Sequence, residues 1–191
     1  MPIWLIVILV FIGVIVLVGL IILCWWISTY NRFKKYQIDI EDARSGIDVA
    51  LTKRFDLLTK MFDITKGYVK HEKETLAEIV GLRNGIPGGT TVKDLSSINS
   101  KLDSEAKKID VAFEKYPDLK ANTLFLELQA SSRDAEEHLQ ASRRMYNNNV
   151  KIYNQLLAVF PSSIVARNYR LQKSDFFQAD EAKKVDIKLE F

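Results

Sequence analysis

His71 and Glu72, in the stretch GYVKHEKETLAE over residues 67–78, open like the zinc-protease signature H-E-x-x-H. In that signature two imidazoles one helical turn apart hold the metal, and the glutamate between them activates a water. The second ligand would stand at position 75, and the residue there is Thr75. The other histidine, His138, belongs to a different helical segment, so a site would have to recruit carboxylates from elsewhere. Lys70, Glu72, Lys73 and Glu74 surround His71 as they would on a solvated helix face, with Lys70 and Glu74 spaced for an i,i+4 pair. Cys24 sits inside an apolar run, the serines are scattered over helix faces, and neither a strand–turn–helix nucleophile elbow nor a glycine-rich phosphate loop occurs. No catalytic residue, metal or cofactor is expected, and the chain does not read as an enzyme.

The elements that would carry these residues divide sharply by composition. The chain has 191 residues and no charged side chain before Asn31; IWLIVILVFIGVIVLVGLIILCWWI, from Ile3 to Ile27, is uninterrupted. At about 1.5 Å per residue these 25 residues reach roughly 37 Å, enough to cross a hydrocarbon core of about 30 Å with some tilt. A cleaved signal peptide would need a basic start, a shorter apolar core and an A-x-A site, none of which is present. Residues 1–31 are therefore predicted to be a transmembrane anchor. Trp25, Trp26 and Tyr30 mark one membrane interface and Trp4 the other. Arg32, Lys34 and Lys35 follow the span directly, so the positive-inside rule places the N-terminus outside and the remaining residues in the cytoplasm. The same three cations are suited to rest against anionic lipid.

Beyond the anchor, residues 32–182 read as helical, in segments of about 32–83, 91–116, 118–160 and 164–181. Ile40, Ala43, Ile47, Ala50, Arg54, Leu57, Met61, Ile64 and Tyr68 step by three and four, with Arg54 the one residue that is not apolar. Leu51, Phe55, Leu58, Phe62, Thr65 and Val69 make a second stripe beside the first, as a helix inside a bundle requires. The sequence NGIPGG (residues 84–89) ends this helix, and Thr91 with Asp94 resembles a capping box for the next. Pro117 and Pro161 set the later boundaries, with Ser162 or Ser163 available as a cap. The expected fold is all-α: an N-terminal transmembrane helix continuing into a long antiparallel four-helix bundle.

IDVALTKRFDLL (Ile47 to Leu58), KGYVKHEKETL (Lys66 to Leu76), EKYPDLKAN (Glu114 to Asn122), RRMYNNNVKIYNQLLAVFPSSIVA (Arg143 to Ala166) and KSDFF (Lys173 to Phe177) follow one another as in the LemA family, which the chain resembles over nearly its whole length. The resemblance implies a bacterial single-pass membrane protein with a four-helix bundle as its soluble part. It also implies a setting among membranes, since family members have been linked to envelope stress, to neighbouring membrane proteases and to the formation of internal membranes. It brings no catalytic residues. Leu57, Leu58, Thr59 and Lys60 lack the proline the family usually has there, which predicts a straighter first helix.

Two expectations go beyond the family. If the second helix descends only about 26 residues from the top of the first, Ile40, Ala43, Ile47 and Ala50 are left without a partner in their own chain, and copies of the chain, or another partner, would cover them. The alternative is a first helix that breaks and folds its stalk back. In the tail, residues 183–191, Val185, Ile187, Leu189 and Phe191 alternate with charged residues at a strand's period. Such a tail either stays loose or pairs as a β-strand between subunits or with another protein. The function expected is a membrane-anchored, self-associating scaffold that organises or remodels the bacterial inner membrane without catalysis, its partners being membrane lipid and further copies of itself. The alternative is an adaptor that regulates a membrane protease or transporter through the bundle surface. Nucleic acid is not an expected partner, because a net charge of +3 is spread over 27 basic and 24 acidic residues.

Overall fold

A computed structural model describes residues 2–66 and 91–177. Among them the chain is helical with no strand: α1 Ile3–Thr65, α2 Val92–Lys115, α3 Pro117–Lys120, α4 Thr123–Ala158 and α5 Ser162–Asn168. Two compact units divide the chain, one formed by Met1–Ile40 with Asn149–Ser174 and the other by Glu41–Asn148 with Asp175–Phe191. The rest of the first predicted helix, His71 and the tail residues Val185, Ile187, Leu189 and Phe191 lie outside the described residues.

In the first unit every residue from Pro2 to Cys24 is exposed. By length and composition this apolar, exposed part of α1 suffices to cross a membrane. Burial begins where α4 arrives. Phe33, 1% exposed, meets the Tyr153 ring edge-on at 6.0 Å between centroids. Gln37 Nε2 donates to the Tyr153 hydroxyl at 3.1 Å, and Asn149 Nδ2 donates to the Asp39 carbonyl at 2.9 Å. Residue numbers fall along α4 as they rise along α1, so the two helices are antiparallel here.

α4 ends at Ala158, and its open carbonyls are served by Ser162, whose hydroxyl approaches Leu156 O at 2.7 Å and Val159 O at 2.9 Å. Ser162 therefore closes the preceding helix; the residue before α5, Pro161, gives it no side-chain cap. Correcting the predicted helix over 164–181, α5 stops at Asn168. Arg170 takes a left-handed φ of 51°, and Leu171 N–H closes back on Ala166 O at 3.0 Å, a helix-ending turn that replaces the continuing ladder. Residues 171–177 are non-helical, and Asn154 receives them: its Nδ2 donates to Ser174 O and its Oδ1 accepts from Ser174 N–H, at 2.9 and 3.0 Å.

In the second unit, α1 from Glu41 onward, α2 and the first part of α4 share a core of Ile47, Leu51, Phe55, Leu58, Leu95, Leu102 and Leu139, each at most 3% exposed. The Thr91–Asp94 capping box forms in both directions: Asp94 Oδ2 accepts from Thr91 N–H at 3.2 Å, and Thr91 Oγ accepts from Asp94 N–H at 3.3 Å. Pro117 stands at the first position of α3, and Asn122 Oδ1 accepts from Phe125 N–H at 3.1 Å to start α4.

The sense of α2 differs from expectation. Arg54 meets Asn99 and Asp103, whereas one cleft places Met61 with Asp110 and Phe113, so α2 runs parallel to α1 and does not descend along it. α4 is the descending helix: Glu136 lies at Arg54 and Ser142 at Gly46. Its 36 residues reach much further down α1 than the 24 of α2 would. The stripe Ile40, Ala43, Ile47 and Ala50 is consequently covered within its own chain, at 9%, 3%, 0% and 6% exposure. That corrects the expectation that these four residues are left without a partner in their own chain. Phe160, two residues past the end of α4, is 76% exposed.

Candidate functional site

The residues expected at the near membrane interface form a collar on the first unit. Trp25 and Trp26 are half-buried and stand edge to face, 6.4 Å between centroids. One turn later the Tyr30 ring lies 4.3 Å from that of Tyr169, which follows α5, and Lys34 Nζ lies 5.8 Å from the Tyr30 ring centre. Arg32, Lys34 and Lys35 are exposed. Trp4, toward the other end of the apolar run, is 61% exposed. A shallow cleft of about 340 Å³ is bordered by Trp25, Thr29 and Arg32 on α1 and by Leu156, Val159 and Phe160 at the end of α4.

In the second unit the structure brings together a group that periodicity alone did not assemble. Arg54, whose side chain is 7% exposed, donates from Nη1 to Asn99 Oδ1 at 2.8 Å and reaches Asp103 Oδ1 with Nη2 at 2.7 Å. Its Nη1 also lies 3.0 Å from Glu136 Oε2, off the line of the N–H bond, so this contact is Coulombic. A buried guanidinium is tolerable only with such company, because removing it from water costs several kcal/mol that paired carboxylates and hydrogen bonds must offset. The signal was visible as the single charged residue in an apolar stripe; its partners on α2 and α4 were not. The cluster borders a cleft of about 740 Å³ whose wall includes Met61, Phe113, Lys120 and Arg133. Charges of both signs line it, which suits a structural ion network better than a site for one charged ligand.

α1 and α4 come close where their side chains are small. A Cβ added at Gly46 would stand 3.4 Å from Ser142 Oγ. Exposed Val49 and Met145 border the groove that Gly46, Ala50 and Ala135 line. Nearby, burial pushes the Asp48 carboxyl above its ordinary range; the Arg44 guanidinium opposes this and Glu41 adds to it. Burial likewise raises the Tyr146 phenol, whose hydroxyl donates to the Asp175 carbonyl at 2.9 Å. Among the described residues no three His, Cys, Asp or Glu side chains converge to hold a metal, and His138 is an exposed residue of α4.

These features define a helical protein with one helix apolar enough to span a bilayer, an aromatic and cationic collar beside it, and a core tied by a buried arginine. The LemA family model matches residues 43–191, and the chain belongs to the LemA family. It is 31% identical over 163 residues to Protein LemA of Metamycoplasma hominis, an alignment covering 85% of this chain and 74% of that protein.

Proposed function

We propose that this LemA-family chain is a membrane-anchored helical scaffold of the bacterial cytoplasmic membrane, acting by geometry and without catalysis. The observation that supports the reading best is the fully exposed run from Ile3 to Leu23, which belongs to the same helix as the buried positions Ile47, Leu51 and Leu58. One helix thus serves both as anchor and as a wall of the core, so whatever the helical body binds is kept at the bilayer. With Arg32, Lys34 and Lys35 behind the span, the N-terminus lies outside and the body in the cytoplasm.

The stalk stripe gives no support to self-association now that α4 covers it. Tail pairing through Val185, Ile187, Leu189 and Phe191 is the route that remains for joining copies. The adaptor reading gains from the open groove between α1 and α4, where Val49 and Met145 are 67% and 59% exposed at the edge of a surface of small residues. A membrane protease or transporter is the class of partner it would engage. Purification of the full chain in nanodiscs, followed by native mass spectrometry, separates these readings. Several copies in one particle indicate the scaffold, and one copy with a stoichiometric membrane protein indicates the adaptor. A single copy with no partner at any concentration overturns both.

A further inference from the structure

We infer that the corner between α4 and α5, with Phe160 at its tip, inserts into the headgroup–acyl boundary of the bilayer that α1 crosses, giving the protein a second lipid contact. The inference rests on the membrane reading above and adds a surface that the apolar helix does not supply.

Three observations meet at this corner. The first is exposure: Val159 is 57%, Phe160 76% and Ile164 48% exposed, an apolar tip where the chain turns from α4 to α5. Isolated exposed apolar residues are ordinary, but three at one chain reversal are a patch that calls for a cover.

The second is depth. Phe33 faces Tyr153 across antiparallel helices; α4 runs five residues, or about 7.5 Å, past Tyr153 to Ala158, and Phe160 follows in the turn beyond it, toward the apolar end of α1. One cleft is shared by Trp25, Thr29, Val159 and Phe160, which sets the tip beside Trp25. The tip therefore ends at the level of the tryptophan pair, the side chains that favour the headgroup layer. Its occupant is set by this continuity: the medium that covers Leu23 and Ile27 on α1 extends to the exposed face of Phe160.

The third is charge. The sequence of this unit carries seven Lys and Arg against one acid, Asp39, a net +6 where the whole chain carries +3. Arg32, Lys34 and Lys35 leave α1 just past the tryptophans, while Arg167, Arg170 and Lys173 follow the corner, and all six are exposed. Apolar side chains at the tip with cations behind them are how a monotopic segment meets anionic lipid.

Site-directed spin labelling of the full chain tests this. In a Cys24→Ser background, single cysteines replace Ile12, Phe160, Ile164 or Lys151, and the labelled proteins are placed in vesicles of phosphatidylethanolamine and phosphatidylglycerol. Collision of each nitroxide with lipid-dissolved oxygen is compared with collision with a water-soluble nickel chelate. Oxygen is expected to dominate at 12, 160 and 164, and the chelate at 151. Adding Phe160→Glu is expected to return the label at 164 to water. A label at 12 in lipid with labels at 160 and 164 in water overturns the corner's insertion and leaves the anchor standing. A label at 12 in water overturns the anchor and the corner together. Labels at 160 and 164 shielded from both reagents indicate a protein partner there, which also overturns the inference.

Discussion

Asn147 holds the backbone of Phe177 from both sides: its Nδ2 donates to Phe177 O at 3.0 Å and its Oδ1 accepts from Phe177 N–H at 2.8 Å. Asn154, seven residues on, does the same to Ser174, and Arg143 stacks 4.6 Å above the Phe177 ring centre. Two side-chain amides supply the bonds that a strand partner would otherwise give, which is how residues 171–177 stay ordered without secondary structure. Replacing Asn147 or Asn154 by alanine removes two hydrogen bonds and is expected to cost about 2 kcal/mol. Denaturant titration measures the loss, and hydrogen exchange should show faster amide exchange at Phe177 or Ser174 respectively, with α2 unchanged.

Arg54→Met leaves Asp103 and Glu136 facing each other without their cation. Breaking a buried ion group from one side costs about 3–5 kcal/mol, and the melting temperature should fall accordingly. The triple variant Arg54→Met, Asp103→Leu, Glu136→Met is expected to recover most of that stability, because no uncompensated charge remains. A triple variant as unstable as the single one would show that the cluster does not act through charge pairing.

Ile47 is 0% exposed within its own chain, so Ile47→Ala is expected to destabilise folding by about 2–5 kcal/mol and to leave the mass of the folded particle unchanged. Equilibrium unfolding and light scattering on the same detergent-solubilised sample separate the two effects. A smaller particle with unaltered stability would return this residue to an interface between copies.

At Gly46 an added methyl meets the Ser142 side chain, Oγ at 3.4 Å and Cβ at 3.8 Å, ordinary contact distances. Gly46→Ala should therefore stabilise the protein by about 0.5–1 kcal/mol, through the helix preference of alanine and the lower entropy of the unfolded chain. Gly46→Leu should reverse the sign, since three further carbons have to displace α4. Paired thermal melts of the two variants decide the matter.

Asp48 has a pKa raised by burial, so the folded protein binds its proton more tightly than the unfolded chain does. Its contribution to stability is most favourable below the ordinary aspartate range. It declines as pH rises through the interval up to the raised value, and is flat beyond. Asp48→Asn is expected to stabilise the protein at neutral pH and to remove this part of the slope between acid and neutral conditions. Denaturant midpoints measured over that interval, wild type against variant, test the sign.

The apolar run to Ile27, the prolines at 117 and 161, the Thr91–Asp94 box and the stepping of apolar residues along α1 were legible in the sequence because each is local. A helix needs only its own periodicity and its own caps to declare itself, and a span needs only length and the absence of charge. Arg54 was equally visible as an exception. What periodicity does not carry is direction and register. A stripe states that a face is covered without naming the neighbour, so the parallel sense of α2, the reach of α4 down to Phe33, and the burial of Ile40, Ala43, Ile47 and Ala50 were decided by the tertiary structure alone. The end of α5 belongs with these. Residues 169–177 leave the helix because a left-handed Arg170 and the amides of Asn147 and Asn154 offer their backbone other partners, and those partners lie 20 to 30 residues away along the chain.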